Sequence, residues 1–416
     1  MDIKREKYLA KLVKKKGNGF IKVITGLRRA GKSYLLRVQF KEHLLQTGVP
    51  QENIIEIAFD LQSNSRFLDP DVFANYAAEK VKGPGPYYFL LDEVQLLPNF
   101  EFVLNGLLEY RNADVYVTGS NAKFLSKDII TEFRGRGDEI HIWPLNFSEF
   151  MQVYEGDRRD GFDEYALFGG IPLVVLERDE EEKISILKRL FTETYIKDIV
   201  GRTKIRNVSE LESLLDILSS NIGSLTNPEK LKNTFGSVQN SKITSSTIIK
   251  YIDILEDAYL LSSAKRYDVR GKSYISTPMK YYFSDLGLRN ARLNFRQQEM
   301  PHSMENIVYN ELCGRGFNVD VGVVPITEVV DGKQVRKQLE IDFVCNKGSR
   351  RYYIKSAFAL PDESKRQQEF KPLQKVNDSF KKIVVTKDAP RPYYNDDGIL
   401  VMNIYDFLLN ENSLEY

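Results

Sequence analysis

Cysteine and histidine are scarce in this chain, and neither is grouped. The two cysteines, Cys313 and Cys345, build neither a disulfide framework nor a zinc site. They suit a reducing compartment, so a cytoplasmic location is expected. The three histidines, His43, His141 and His302, are scattered, which excludes a histidine-rich metal cluster. Long apolar runs are missing as well. No stretch approaches the length of a membrane-spanning helix, and no membrane partner is expected. The stretch MDIKREKYLAKLVKKKG is basic but lacks the apolar core of a signal peptide. An excess of one charge is also absent: 59 Lys and Arg stand against 58 Asp and Glu, a formal net charge of +1. The surface as a whole is no trap for polyanions, and nucleic-acid binding requires a local basic patch.

What remains is an ordinary globular composition, 42% apolar and 28% charged, over 416 residues. That length implies two or three domains. The first part alternates strand-like and helix-like segments. Strands are expected at Phe20 to Thr25, Asn53 to Phe59, Tyr87 to Leu91, Asp114 to Thr118 and Glu139 to Trp143. Between the first two, Lys32 to Gln46 has helical spacing, with Leu36, Phe40 and Leu44 on one face. Strands alternating with helices imply right-handed crossovers and a parallel sheet, so the fold class is α/β. The third and fourth strands are nearly all apolar, as strands covered on both faces are. From Asn146 the pattern becomes helical, with helices at Ile184 to Val200, Val208 to Ser219 and Ser246 to Ala258. A hairpin follows, Tyr259 to Tyr267 and Lys272 to Ser276, and helices followed by a hairpin suggest a winged helix. The last part opens with a helix from Met304 through Cys313. Strands follow at Asn318 to Val324, Ile326 to Val330, Val335 to Cys345, Arg351 to Phe358 and Lys382 to Thr386.

The chemistry concentrates near the N-terminus. Gly26-Leu27-Arg28-Arg29-Ala30-Gly31-Lys32-Ser33 fits the P-loop pattern without a mismatch, between a strand and a helix. Glycines let such a loop wrap phosphate with its N–H groups pointing inward. Lys32 is placed for the β- and γ-phosphates of ATP, and Ser33 for magnesium. Asp92 and Glu93 end an apolar strand, at the edge where open α/β sheets bind ligands. Asp92 is the second magnesium ligand, and Glu93 the group that orients or deprotonates water. Thr118, Ser120 and Asn121 close the fourth strand with small polar side chains. One of them, with Asn121 as the candidate, can position that water. Arg134 and Arg136 are either a solvated basic loop or a finger for charge on the transferring phosphoryl group, from the same chain or a neighbour. Arg28 and Arg29 carry the same ambiguity.

Together these segments resemble the prokaryotic AAA+-type ATPases related to the STAND signalling NTPases, in the branch with a C-terminal domain of unknown function. The resemblance extends through Pro144 to Phe150, Gly169-Gly170-Ile171-Pro172, Tyr281 to Leu288, Glu305-Asn306 and Glu340-Ile341-Asp342-Phe343. It implies an ATPase core with an additional strand, a winged-helix middle and a C-terminal domain similar to PD-(D/E)xK nucleases. The expected division is 1–178, 179–290 and 291–416.

In that nuclease-like domain the resemblance assigns metal-holding roles to Glu305, Glu340 and Asp342. The next strand departs from the pattern: Lys355 stands where an acid belongs and Ala357 where the lysine belongs. Lys355 can instead pair with Asp342 or Glu305 and fill the site with its own ammonium. Two functions follow. One is an ATP- and magnesium-dependent switch whose winged helix and C-terminal domain bind DNA or protein, with a homo-oligomer among the expected partners. The other is an ATP-gated, metal-dependent DNA nuclease. DNA contact would run through Lys265-Arg266-Tyr267 and Arg270-Gly271-Lys272 in the wing.

Overall fold

The computed structural model describes residues 3–119, 133, 135–196, 199–201, 205, 207–239, 241–330 and 333–416. It divides into two compact units: Met1–Leu145 with Ile171–Leu176 and Asp257–Tyr259, and Asn146–Gly170 with Glu177–Glu256 and Leu260–Tyr416. No helix among the described residues is long and apolar enough to cross a membrane.

The first unit is built on five strands: β1 (Ile21–Gly26), β2 (Ile54–Ala58), β3 (Tyr87–Asp92), β4 (Ala113–Thr118) and β5 (Gly137–Ile142). All are parallel, in the order β2-β3-β4-β1-β5. β4 therefore lies between the strand that precedes the P-loop and the strand that ends in Asp92. Every residue of β1 and β3 is buried, as expected of strands covered on both faces. The core on one side gathers Val23, Ile57, Phe73, Phe89, Leu91, Val115 and Val117. The helical segment after the P-loop buries Leu36, Phe40 and Leu44. Its middle, Leu35–Phe40, is wound as a π-helix.

One polar interaction crosses this apolar sheet. Lys22 on β1 is fully buried and donates to the Asp114 carboxylate on β4 and to the Phe20 carbonyl at 2.9 Å. Asp114 also accepts from the Gly17 amide at 2.9 Å and the Tyr116 hydroxyl at 3.0 Å. Burial lowers the Lys22 pKa, and Asp114 opposes that shift.

The second unit carries an eight-stranded mixed sheet. Its strands are β6 (Leu261–Asp268), β7 (Ser273–Phe283), β8 (Asn318–Val330), β9 (Lys333–Lys347), β10 (Arg350–Ala357), β11 (Lys381–Thr386), β12 (Tyr393–Tyr394) and β13 (Leu400–Asn403). They run in the order β12-β13-β11-β10-β9-β8-β6-β7. The hairpin read as a wing is present as β6 and β7. It differs from the expectation in its company: β6 pairs in parallel with β8, at Arg266↔Val321 to Asp268↔Val323. The hairpin thus shares a sheet with the C-terminal strands, on both sides of the boundary expected at 290/291.

β8 also departs from the expected pair of strands split at Pro325. It runs through unbroken, because β6 borders it only as far as Val323. Beyond that point β8 has β9 alone as neighbour, and a proline without an N–H is tolerated where a strand becomes an edge. Two segments of the quoted resemblance find a packing role here. Asp285 accepts from the Gly170 amide at 2.7 Å and caps the Leu288 amide at 3.0 Å. A Cβ on Gly169, at φ +76°, would stand 2.4 Å from that carboxylate. Asn306 grips the edge of β7, accepting from the Phe283 amide at 2.9 Å and donating to the Phe283 carbonyl at 2.7 Å.

Replacing Asp114 by Asn leaves the Lys22 ammonium buried with no carboxylate. Urea unfolding should show a loss of about 3–5 kcal/mol, the usual cost of breaking a buried pair. Lys22→Met with Asp114→Leu should recover most of it.

Candidate functional site

The residues that end β1, β3 and β4 meet at one edge, because parallel strands all finish on the same side of the sheet. Left-handed or otherwise positive φ values occur at Gly26 (133°), Arg29 (66°) and Gly31 (93°). A Cβ at Gly26 would lie 2.1 Å from the Ile142 carbonyl oxygen on β5, so only glycine fits there. Arg28 is half-buried and Arg29 exposed. Lys32 is buried and folds back over its own loop, donating to the carbonyls of Gly26 at 2.9 Å and Leu27 at 3.0 Å. Burial lowers its pKa to about 8, against the pull of Glu93 and Asp92.

Ser33 donates to Asp92 Oδ1 at 2.9 Å. The Thr118 hydroxyl donates to the same oxygen, and it also accepts from the Glu93 amide at 3.2 Å. Burial raises the Asp92 pKa, and these two hydroxyls counter it. Glu93 adopts a left-handed backbone, φ 54° and ψ 44°, and its carboxylate accepts from the Gln95 amide. A loop of inward-turning backbone beside two converging oxygens, Ser33 Oγ and Asp92 Oδ1, fits a nucleotide phosphate and a hard divalent cation.

Two neighbours were not found by sequence reasoning. Arg37 bonds Glu56 on β2 at 2.7 Å and reaches 3.7 Å from Asp92 Oδ2. Its spacing of four after Ser33, about one helical turn, was the available signal. His141 on β5 is half-buried, 3.2 Å from Thr25 Oγ1 and packed against Trp143 and Tyr259. Burial, with Lys32 and Lys11, pushes its pKa down to about 3, so it is neutral at working pH. Its scattered place in the chain carries no signal.

Of the remaining sequence candidates, only Arg136 is described. Asn121, Ser120 and Arg134 lie outside the described residues. Arg136 sits just before β5, and its carbonyl accepts from Ile21 at the start of β1. That is the opposite edge of the sheet from Lys32, roughly 17 Å away along the strand. Arg136 therefore does not face the P-loop of its own chain, which removes the same-chain half of the finger expectation.

In the second unit, Glu305, Glu340 and Asp342 do converge, but around a lysine. Lys280 on β7 lies 2.9 Å from Glu305, 2.7 Å from Glu340 and 4.0 Å from Asp342. Lys355 bonds Asp342 at 2.9 Å, as one of its two expected pairings required, and lies 3.4 Å from Glu369. Asp342 also accepts from the Ser356 amide at 2.8 Å, and Glu305 from the Tyr282 hydroxyl at 2.7 Å. Burial opposes the charge on Lys280, but Glu305, Asp342 and Glu340 outweigh it and raise its pKa. Lys355 behaves alike, with Asp342 and Glu369 outweighing burial. Burial raises Glu305 in spite of Lys280. Lys280 was missed, although a lysine in the strand end Lys280–Phe283, two residues from Tyr282, signals a charge on the acids' side. Among the described residues no group of three or more His, Cys, Asp or Glu is arranged to hold a metal ion.

Comparison with known proteins agrees with the first of these sites. Residues 18–151 match the family described as an AAA domain, and residues 159–299 match one described as a domain of unknown function (DUF8612). Match and geometry agree on this segment: residues 18–151 are similar to an AAA domain and carry a P-loop at the end of a parallel strand. Over the whole chain, an uncharacterized protein of Haemophilus influenzae is 36% identical across 416 residues, 98% of each chain. The chain belongs to the same family as that protein. An uncharacterized protein of Methanocaldococcus jannaschii is 28% identical, covering 93% of this chain and 85% of its own. Among solved structures, the Aeropyrum pernix ORC1 protein in complex with DNA aligns at 14% identity and a TM-score of 0.31, over 71% of this chain and 93% of that one.

The acid cluster makes its own prediction. In Lys280→Met, Glu305 and its neighbours lose a buried counter-charge, at a cost of about 3–5 kcal/mol near neutral pH. Their folded-state pKa values then rise above the unfolded ones. Stability from such groups is present at low pH and lost as pH rises. The deficit against the unaltered protein should therefore shrink as pH falls from 7 to 5, measured by thermal melting.

Proposed function

We infer that this protein is a magnesium-dependent ATPase that works as a nucleotide-driven switch. The observation that carries the reading is the Ser33–Asp92 pair, set beside a P-loop whose glycines turn its backbone inward. In this reading the N–H groups from Gly26 to Ser33 wrap the phosphates, helped by the partial positive charge of the helix start. Lys32 exchanges its two loop carbonyls for phosphate oxygens. Ser33 and Asp92 hold the metal ion, whose chemistry when bound is to neutralise charge on the phosphate oxygens. Glu93 orients the attacking water and accepts its proton as the bond to the leaving diphosphate breaks. Asn121 remains the candidate for positioning that water. The place of Arg136 leaves it a finger only for a neighbouring copy's phosphate, which would make a homo-oligomer the active form.

The output is binding of DNA or protein by the second unit. The finer likeness, to signalling NTPases with a winged helix and a nuclease-like C-terminal domain, enters here as a binding element. The lysines filling the acid cluster support binding over cleavage.

The test is nucleotide titration and phosphate release on two variants. Lys32→Ala should weaken ATP binding about 10- to 150-fold, the worth of a charged hydrogen bond to phosphate. Glu93→Gln should keep ATP binding and slow turnover by about 10²- to 10⁴-fold. Undiminished ATP binding in Lys32→Ala, or undiminished turnover in Glu93→Gln, sinks the reading.

A further inference from the structure

β8 and β9 pair over far more of their length than the rest of the sheet supports. β6 borders β8 only from Val321 to Val323, and β10 borders β9 only from Phe343 to Lys347. Between those limits seven residue pairs, Val324↔Leu339 to Val330↔Lys333, form a ribbon of two strands with no third neighbour in the sheet among the described residues. At a strand's usual rise that ribbon is roughly 20 Å long.

The two faces of the ribbon differ. On one, Val324, Ile326 and Leu339 join the core formed with Phe370 and Leu373 of the helix Glu363–Gln374. Glu328 on that side is bonded by Lys337 at 2.8 Å and Lys371 at 2.6 Å. This face is anchored. The other face carries Pro325, Thr327, Val329, Gln334, Arg336 and Gln338, since residues paired across an antiparallel ladder share a side. All but Pro325 are exposed. These six residues include no carboxylate, and the acid next along the face, Glu340, is ion-paired with Lys280 at 2.7 Å. Arg266 of β6 extends the face, donating to Gln338 Oε1 at 2.6 Å. That bond leaves the Gln338 amide nitrogen turned outward as a donor.

We propose that this ribbon, Val324–Val330 with Lys333–Leu339, docks duplex DNA by entering its major groove. A two-stranded ribbon fits the width of that groove, and arginine, glutamine and threonine are side chains that read base edges there. Arg266 extends the same face, and Lys333, exposed at the far end of the ribbon on the opposite face, supplies a second cation for the phosphates. The net-neutral chain thereby has the local basic surface that nucleic-acid binding needs. A partner protein adding a strand to the β8 edge meets Pro325, which supplies no N–H at that position and blunts the edge. Double-stranded RNA is disfavoured because its major groove is too deep and narrow for side chains to read. The inference rests on the proposed binding output of the second unit, and the ribbon variants test it apart from the P-loop.

The test uses the full chain and fluorescence polarisation with a 24-base-pair DNA duplex, chosen from a random pool by repeated capture on this protein. The same sequence is made as duplex RNA. Arg336→Ala combined with Gln334→Ala should weaken binding of the selected DNA about 5- to 150-fold, the range for losing one good base contact. Lys333→Ala should lower the salt dependence by about one phosphate contact. Melting temperature and ATP affinity report whether each variant is folded, and these exposed positions should leave both unchanged. The proposal is overturned if no duplex DNA is captured, if RNA binds as tightly, or if the ribbon variants bind selected DNA as the unaltered protein does. It is overturned equally if Arg270→Ala with Lys272→Ala abolishes binding while the ribbon variants do not, since the surface is then the β6–β7 turn.

Discussion

A single buried carboxylate, that of Asp92, organises the nucleotide edge of the first unit. It ends β3, takes a hydroxyl from the helix after β1 and another from the end of β4, and draws Arg37 to within 3.7 Å. An anion removed from water must be met by donors or protonated. Here the strand order supplies them. With β4 inserted between β1 and β3, Thr118 stands beside Asp92 and passes the constraint on to the Glu93 amide. The left-handed turn at Glu93 follows from the same arrangement: the chain must leave β3 sharply for its amide to reach Thr118. Ser33, Asp92, Glu93 and Thr118 are thereby fixed relative to one another by a few hydrogen bonds at one sheet edge.

The second unit solves the opposite problem with the same physics. There the buried charge at the centre is a cation. Lys280 gathers Glu305 from a helix and Glu340 and Asp342 from β9, and Lys355 supplies a second ammonium from β10. Carboxylates that close together repel one another unless positive charge lies between them. Side chains supply that charge here, and Tyr282 and the Ser356 amide take up further oxygens. The acids thus serve as the inner lining of an ion network that ties β7, β9, β10 and the helix carrying Glu305 together.

Much of the first unit was legible because its signals are local. A P-loop needs glycines at set places, and the five strands announce themselves by apolar runs; the observed ends differ from the expected ones by a residue or two. Lys355 was legible as a departure from a pattern. Sheet membership was not. Nothing in β6 or β7 states that β6 will pair with a strand that begins some fifty residues later, because a backbone ladder is indifferent to the side chains that sequence patterns record. The sheet edge that Arg136 occupies was not legible for a related reason. A glycine-flanked arginine reads as a finger in one dimension, while the edge of the sheet it occupies depends on strand direction. Lys280 and Arg37 act through partners distant in sequence, and lone basic residues look alike until their partners are placed.

The parallel joining of β6 to β8 bears on how the polypeptide can be divided. A fragment beginning at 291 would lack β6 and β7, and with them Lys280. It would have the backbone of Val321 to Val323 unpaired on one side, and Glu305 and Glu340 would lose their shared counter-charge. The natural cut for an expressible piece lies before the helix-and-hairpin segment. The middle hairpin and the C-terminal strands are one sheet, and a cut between them leaves neither piece its full ladder.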